Sequence, residues 1–137
     1  MSNLNKQLLA ECSTVVKGFH ANSGGCEIYM THNDDKVITS RIHFHNDNRR
    51  HIKIERFGIC KNDYYRRGLG TALMKYILKW CKRNQIITIR VRPYASTHRI
   101  SQADLVLFYE SFGFTPINNN YLCKNIRRTF FAKPPSW

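Results

Sequence analysis

The chain has 137 residues, the length of one domain, and can bury a core without a disulfide or a metal. A hydrophobic content of 42% excludes a disordered chain, and no apolar run approaches the roughly eighteen residues that span a bilayer. Lys and Arg total 22 against 9 Asp and Glu, a formal net charge of +13, which implies an anionic partner: a nucleic acid, an acidic protein or a phosphate-rich cofactor.

The N-terminus lacks the basic start and unbroken apolar core of a signal peptide, so the expectation is a soluble cytoplasmic protein without a membrane partner. "LNKQLLAECSTVVKGFH" predicts an N-terminal helix, with Leu8, Leu9, Cys12, Val15, Val16 and Phe19 near helical spacing. "CEIYMT", "KVITSRIHF" and "HIKIERFGIC" predict three strands joined by the turns "HNDD" and "NDNRR". Such short connections make them antiparallel neighbours. A helix follows from the turn "KNDYYRRGLG" to about Arg83, with Leu69, Leu73, Tyr76, Ile77 and Trp80 on one face. "IITIRVRPY" is a fourth strand and "STHRIS" a loop. "SQADLVLFYESFG" is a second long helix, with a capping box opening at Ser101 and Gly113 at its end. "FTPI" and "YLCKNIRRTFFA" are two last strands, and "KPPSW" is a tail. This order predicts a mixed α/β (α+β) fold, a mostly antiparallel central sheet flanked by helices in a single domain over residues 1–137. The strand–helix–strand unit over residues 51–92 should pair its strands in parallel through a right-handed crossover.

The five cysteines are scattered, without a CxxC pair, which argues against a disulfide framework or zinc ribbon. Cys60 and Cys81 sit in apolar contexts that predict buried, inert thiols. His43 and His45 alternate along one strand and could meet His51, but no Cys or acid stands at ligand spacing, so no metal is expected. His98 lies in the loop before the second long helix, where it could touch a substrate or simply face solvent.

Two stretches carry chemistry. In "YYRRGLGT" a strand leads through Gly68 and Gly70 into a helix. Glycines let backbone approach a pyrophosphate, and the first-turn N–H groups and the helix dipole attract it. No Lys-Ser/Thr follows, and a third glycine and a ribose-binding acid are missing, so neither a Walker loop nor a dinucleotide fold fits. A tight turn without a ligand would use the same glycines. In "LVLFYESFGF", Tyr109 lies beside the stripe Leu105, Phe108 and Phe112, where a packed aromatic is the alternative to a functional one.

Together, "YRRGLGTALM" (65–74) and "YESFGF" (109–114), separated by one strand, resemble the GNAT (Gcn5-related) superfamily of N-acetyltransferases. The resemblance covers about residues 51–117. It implies a splayed parallel strand pair that binds acetyl-CoA as co-substrate, without a metal. The backbone of Arg67, Gly68, Leu69, Gly70 and Thr71 would hold the pyrophosphate. Tyr65 stands where the family prefers Gln or Arg, which leaves Arg66 or Arg67 to supply the side-chain contact. Phe57, Ile59 and Cys60 would border the pantetheine, a backbone N–H between Phe57 and Cys60 would polarise the carbonyl, and Phe108 would complete the wall. Gln102 replaces an Asn common seven residues before the tyrosine, and Leu105 replaces a small residue. Tyr109, a phenol with a pKa near ~10, would protonate the departing thiolate. Glu55 is the candidate base, with a water relay or a plain salt bridge as alternatives. "ISQADLVLFYESFGF" is also similar to a branch carried by phages and mobile elements that includes an anti-CRISPR acetyltransferase. The implied acceptor is a primary amine on an acidic protein, an RNA or a small molecule, and many relatives are homodimers. A tRNA-acetylating toxin of the same fold and a non-catalytic basic nucleic-acid or partner-binding module are the alternatives.

Overall fold

The computed structural model describes residues 3–18, 24–45, 48–94 and 100–126. Helix α1 (Asn3–Glu11) precedes strands β1 (Ser13–Gly18), β2 (Gly25–His32), β3 (Asp35–His45) and β4 (Asn48–Ile59). A 3-10 turn over Asn62–Tyr64 leads into α2 (Leu69–Arg83), followed by β5 (Thr88–Val91), α3 (Gln102–Ser111), β6 (Thr115–Pro116) and β7 (Leu122–Asn125). The strands form one sheet in the order β1-β2-β3-β4-β5-β7-β6. Every neighbouring pair is antiparallel except β4 and β5, which are parallel, as the crossover requires.

The predicted N-terminal helix is half helix and half strand. The Cys12 N–H donates to the Leu8 carbonyl at 3.1 Å and closes α1. The chain then extends, and Ser13 to Gly18 pair with Thr31 to Cys26. Thr14, Val15 and Val16 are β-branched, stiff in a helix and suited to a pleated edge. Helical spacing of the apolar residues over-read a segment whose ladder partner, β2, lies further along the chain. The strand expected from Tyr121 to Ala132 is described only as Leu122–Asn125. Tyr121 and Ile126 flank it outside the strand, and residues 127–132, the tail and His98 fall outside the described residues.

Helix α2 buries Leu69, Leu73, Met74, Ile77 and Cys81 and packs across β2, β3 and β4. The expected Tyr76 and Trp80 border that face. Trp80 stacks on Phe44 at 6.4 Å, and the Arg83 guanidinium lies 5.8 Å from the Tyr76 ring. Beneath α2 lie Ile28, Ile42, Ile52 and Ile54, all essentially free of solvent. Each is worth about 1.5–3 kcal/mol relative to exposure. All four residues of β5 are buried, as expected for a central strand covered on both faces. Cys81 is buried as expected, but Cys60 is exposed. It follows the last residue of β4, where the chain leaves the sheet.

A bulge in β4 shapes the middle of the sheet. Arg41 pairs with Glu55 and Thr39 with Gly58, so two residues on β4, Arg56 and Phe57, face one on β3, Ser40. Arg56 absorbs the extra residue in the left-handed region, with φ of 52°. A non-glycine residue held there costs about 1–2 kcal/mol. A bulge bends its strand and increases the local twist. The parallel pairing with β5 ends beside it, at Ile54 and Val91, and Pro93, which has no N–H to donate, follows on the β5 side. Beyond this point β4 and β5 part.

Candidate active site

The parted strands open a gap between two cavities. One, about 370 Å³, is a groove between the end of β4, the turn before α2 and the start of α3. Of the residues singled out from the sequence, Phe57, Ile59, Tyr65, Arg66, Gly68, Leu69, Gly70, Thr71 and Phe108 line it. The second, also about 370 Å³, lies on the other side of the gap. It includes Thr39, Ile54, Arg56, Arg92, Tyr94 and Tyr109, and shares Phe57, Gly58 and Ile59 with the groove. The end of β4 is therefore the partition between the two.

The turn at the groove's floor is built from backbone. Gly68 is the N-cap of α2 in the left-handed conformation, φ 86°, and no side chain caps the helix. The first intrahelical bond runs from the Ala72 N–H to the Gly68 carbonyl at 3.1 Å. The N–H groups of Leu69, Gly70 and Thr71 precede that bond, and the positive end of the helix dipole lies with them. Gly70 contributes through the space it leaves. Its φ is ordinary, but a Cβ there would meet the Phe108 ring at 3.6 and 3.7 Å and Phe57 at 3.9 Å. It would stand inside the groove. Arg66, with φ of 60°, lines the groove, whereas the Arg67 guanidinium lies 5.5 Å from the Tyr64 ring.

Tyr64 is a groove residue that the sequence did not single out, although it stands beside Tyr65. Its hydroxyl is 2.7 Å from His32 Nδ1, and His32 Nε2 is 3.3 Å from a Glu11 carboxylate oxygen. The carboxylate only accepts, so Nε2 carries a proton, and in the neutral ring Nδ1 accepts from the Tyr64 hydroxyl. This chain ties the end of α1 to the groove wall through His32, which lies 32 residues before Tyr64.

Tyr109 is only 2% exposed. It packs edge-on against Phe57, Phe108 and Phe114, with ring centroids 5.4–6.1 Å away. Burial pushes its phenol well above the ordinary value of 10, so the hydroxyl keeps its proton throughout the neutral range. The Cys60 N–H is taken by the Val37 carbonyl at 2.8 Å. N–H groups alternate sides along a strand, so the Ile59 N–H turns away from β3, toward the gap.

Glu55 and Gln102 are not brought into the groove. The Glu55 carboxylate lies 2.8 Å from Lys53 Nζ and 3.1 Å from His43 Nε2. The hydrogen bond from Lys53, with the charges of Lys53, His43 and Arg41, holds it below the usual glutamate range despite partial burial. It lines a depression beside the Tyr109 cavity that shares Ile54, Arg56, Arg92 and Tyr94 with it. A depressed folded value means these pairs stabilise fully above the ordinary value of 4.5 and fade as pH falls through the folded one. The difference in melting temperature between the native protein and Glu55→Gln should therefore shrink below pH 4.5. The Gln102 side chain donates to the Pro93 carbonyl at 2.9 Å and braces the start of α3. Ser101 caps that helix by accepting from the Asp104 N–H at 3.1 Å, as the capping box predicts. Cys60 borders the Tyr109 cavity and not the groove. Arg92, missed in the sequence, could have been found from its place just after a parallel strand, where crevices of open sheets form. The three strand histidines do not converge: His43 pairs with Glu55, and His51 is buried against Thr88 at 2.6 Å. Among the described residues, no cluster of three or more metal-ligating side chains occurs.

The family model for the acetyltransferase (GNAT) domain matches residues 24–116. The chain belongs to the GNAT family of acetyltransferases. It is an acetyltransferase enzyme, as the two motifs implied. The ribosomal-protein-S18-alanine N-acetyltransferase from Escherichia coli superposes with a TM-score of 0.62 at 16% identity, over 79% of this chain and 73% of that one. A GNAT-family acetyltransferase from Staphylococcus aureus Mu50 gives 0.62 at 19%, over 77% and 71%. An IAA acetyltransferase from Bacillus cereus gives 0.64 at 9%, over 83% and 99%. At these identities the likeness is one of fold. No curated protein sequence matches the chain.

Proposed function

We propose that this GNAT acetyltransferase moves the acetyl group of acetyl-CoA to a primary amine by direct attack of the amine on the thioester. The observation that carries the reading is the parting of β4 from β5 at Ile54 and Val91, with Tyr109 buried beside the gap. Acetyl-CoA supplies the activated acyl group. The donors present fit its anionic end: uncapped N–H groups of Leu69, Gly70 and Thr71, with Arg66 beside them. Phe57, Gly58, Ile59 and Phe108 offer an apolar wall and a free strand edge to the pantetheine arm. In this reading the Ile59 N–H polarises the acetyl carbonyl. Tyr109 holds its proton and would deliver it to the departing thiolate. The attacking amine enters from the Tyr109 cavity. Its proton leaves through solvent toward the adjoining depression, where Glu55, kept ionised by Lys53, is a distant acceptor and a weak base.

Calorimetry with acetyl-CoA, and mass spectrometry of amines incubated with it, test the reading. Binding in the micromolar range is expected. No heat at about 1 mM ligand would overturn it.

A further inference from the structure

Resting on that reading, we infer that the acceptor amine carries a carboxylate or phosphate close to it, and that Arg56 and Arg92 engage this group at the mouth of the Tyr109 cavity. Both arginines line the Tyr109 cavity and the depression beside it. Both are exposed, and among the described residues neither has a carboxylate within ion-pair distance. Arg56 is held in the left-handed conformation by the β4 bulge, so the feature that opens the gap also fixes an arginine at its edge. Guanidinium groups recognise carboxylates and phosphates through paired, charge-assisted hydrogen bonds.

The surroundings agree. Among the described residues, Glu55 is the one carboxylate lining the Tyr109 cavity or the depression beside it, and Lys53 and His43 already hold it. Arg41 faces Glu55 across the β3–β4 ladder and adds to the positive charge that offsets it. A free cationic amine without an attached anion would be repelled from this mouth. An amine whose own charge is offset by a neighbouring anion would not. Tyr94, 74% exposed at the same mouth, offers a flat surface to whatever bears the amine.

The test uses matched amines and the full chain saturated with CoA. O-phosphoethanolamine is compared with ethanolamine, and β-alanine with β-alaninamide. NMR titration of the labelled protein should move the Arg56 and Arg92 side-chain signals with the anionic member of at least one pair. The members without the added anion should leave them still. The phosphate and carboxylate arms distinguish the two anions. In the Arg56→Asn, Arg92→Gln double variant the response should weaken about tenfold or more; Asn tolerates the left-handed conformation at position 56. A thermal melt confirms that the variant is folded. Equal responses within both pairs, or a preference that survives in the double variant, would overturn the inference. Calorimetry of acetyl-CoA on the same samples separates the two failures. Loss of acetyl-CoA binding in the native protein sinks the functional reading, whereas intact binding without anion preference sinks only this one.

Discussion

Tyr109→Phe is expected to lower kcat by about a hundredfold or more, the usual contribution of a positioned general acid, while acetyl-CoA affinity stays within about twofold. The substitution removes one oxygen and leaves the ring among Phe57, Phe108 and Phe114, so packing is conserved. A loss confined to kcat assigns the hydroxyl to the reaction, because an interaction made only in the transition state lowers kcat and kcat/KM together. Unchanged turnover would reduce Tyr109 to a core residue. The pH profile gives a second check. Burial raises the phenol above its ordinary value of 10, so its deprotonation should cause no fall in activity below that pH.

Gly70→Val is the second large effect, and Gly68→Ala is its control. At Gly70 even one methyl would stand 3.6 Å from Phe108 and 3.9 Å from Phe57. Valine's further carbons must enter the groove or push the rings apart. Acetyl-CoA affinity should fall at least about tenfold, a loss of about 1.4 kcal/mol, as read by calorimetry. Gly68 fails in another way. Its φ of 86° would strain an alanine by about 1–2 kcal/mol, seen as a drop of several degrees in melting temperature. Should Gly70→Val bind acetyl-CoA normally, the groove is not the coenzyme site.

Much of this molecule was legible because its signals are local. Gly68 and Gly70 between strand and helix mark the groove's floor from a few residues of sequence. Ser101 and Gly113 bound α3 by capping chemistry that acts over three or four residues. Alternation in β2 to β4 and helical spacing in α2 each describe one element against a generic apolar partner. The errors came where the partner matters. Val15 and Val16 suit an edge strand as well as a helix face, and only β2 decides between them. Glu55 was singled out for its place in the chain, but Lys53 and His43 determine its charge. Gln102 stands where the resemblance implies a coenzyme contact, yet its side chain donates to the carbonyl of Pro93.

By itself, then, the sequence determined the strand–helix–strand unit, the glycine turn, the tyrosine helix and, through the two motifs together, the family. Tertiary structure alone decided how these parts make a cavity. The bulge at Arg56 depends on the register of β4 against β3, and the gap depends on where that bulge falls relative to the last β4–β5 pair. The Glu11–His32–Tyr64 chain joins residues from three separate elements. Side-chain partners and ladder register are properties of distant segments meeting, and no periodicity within one segment encodes them.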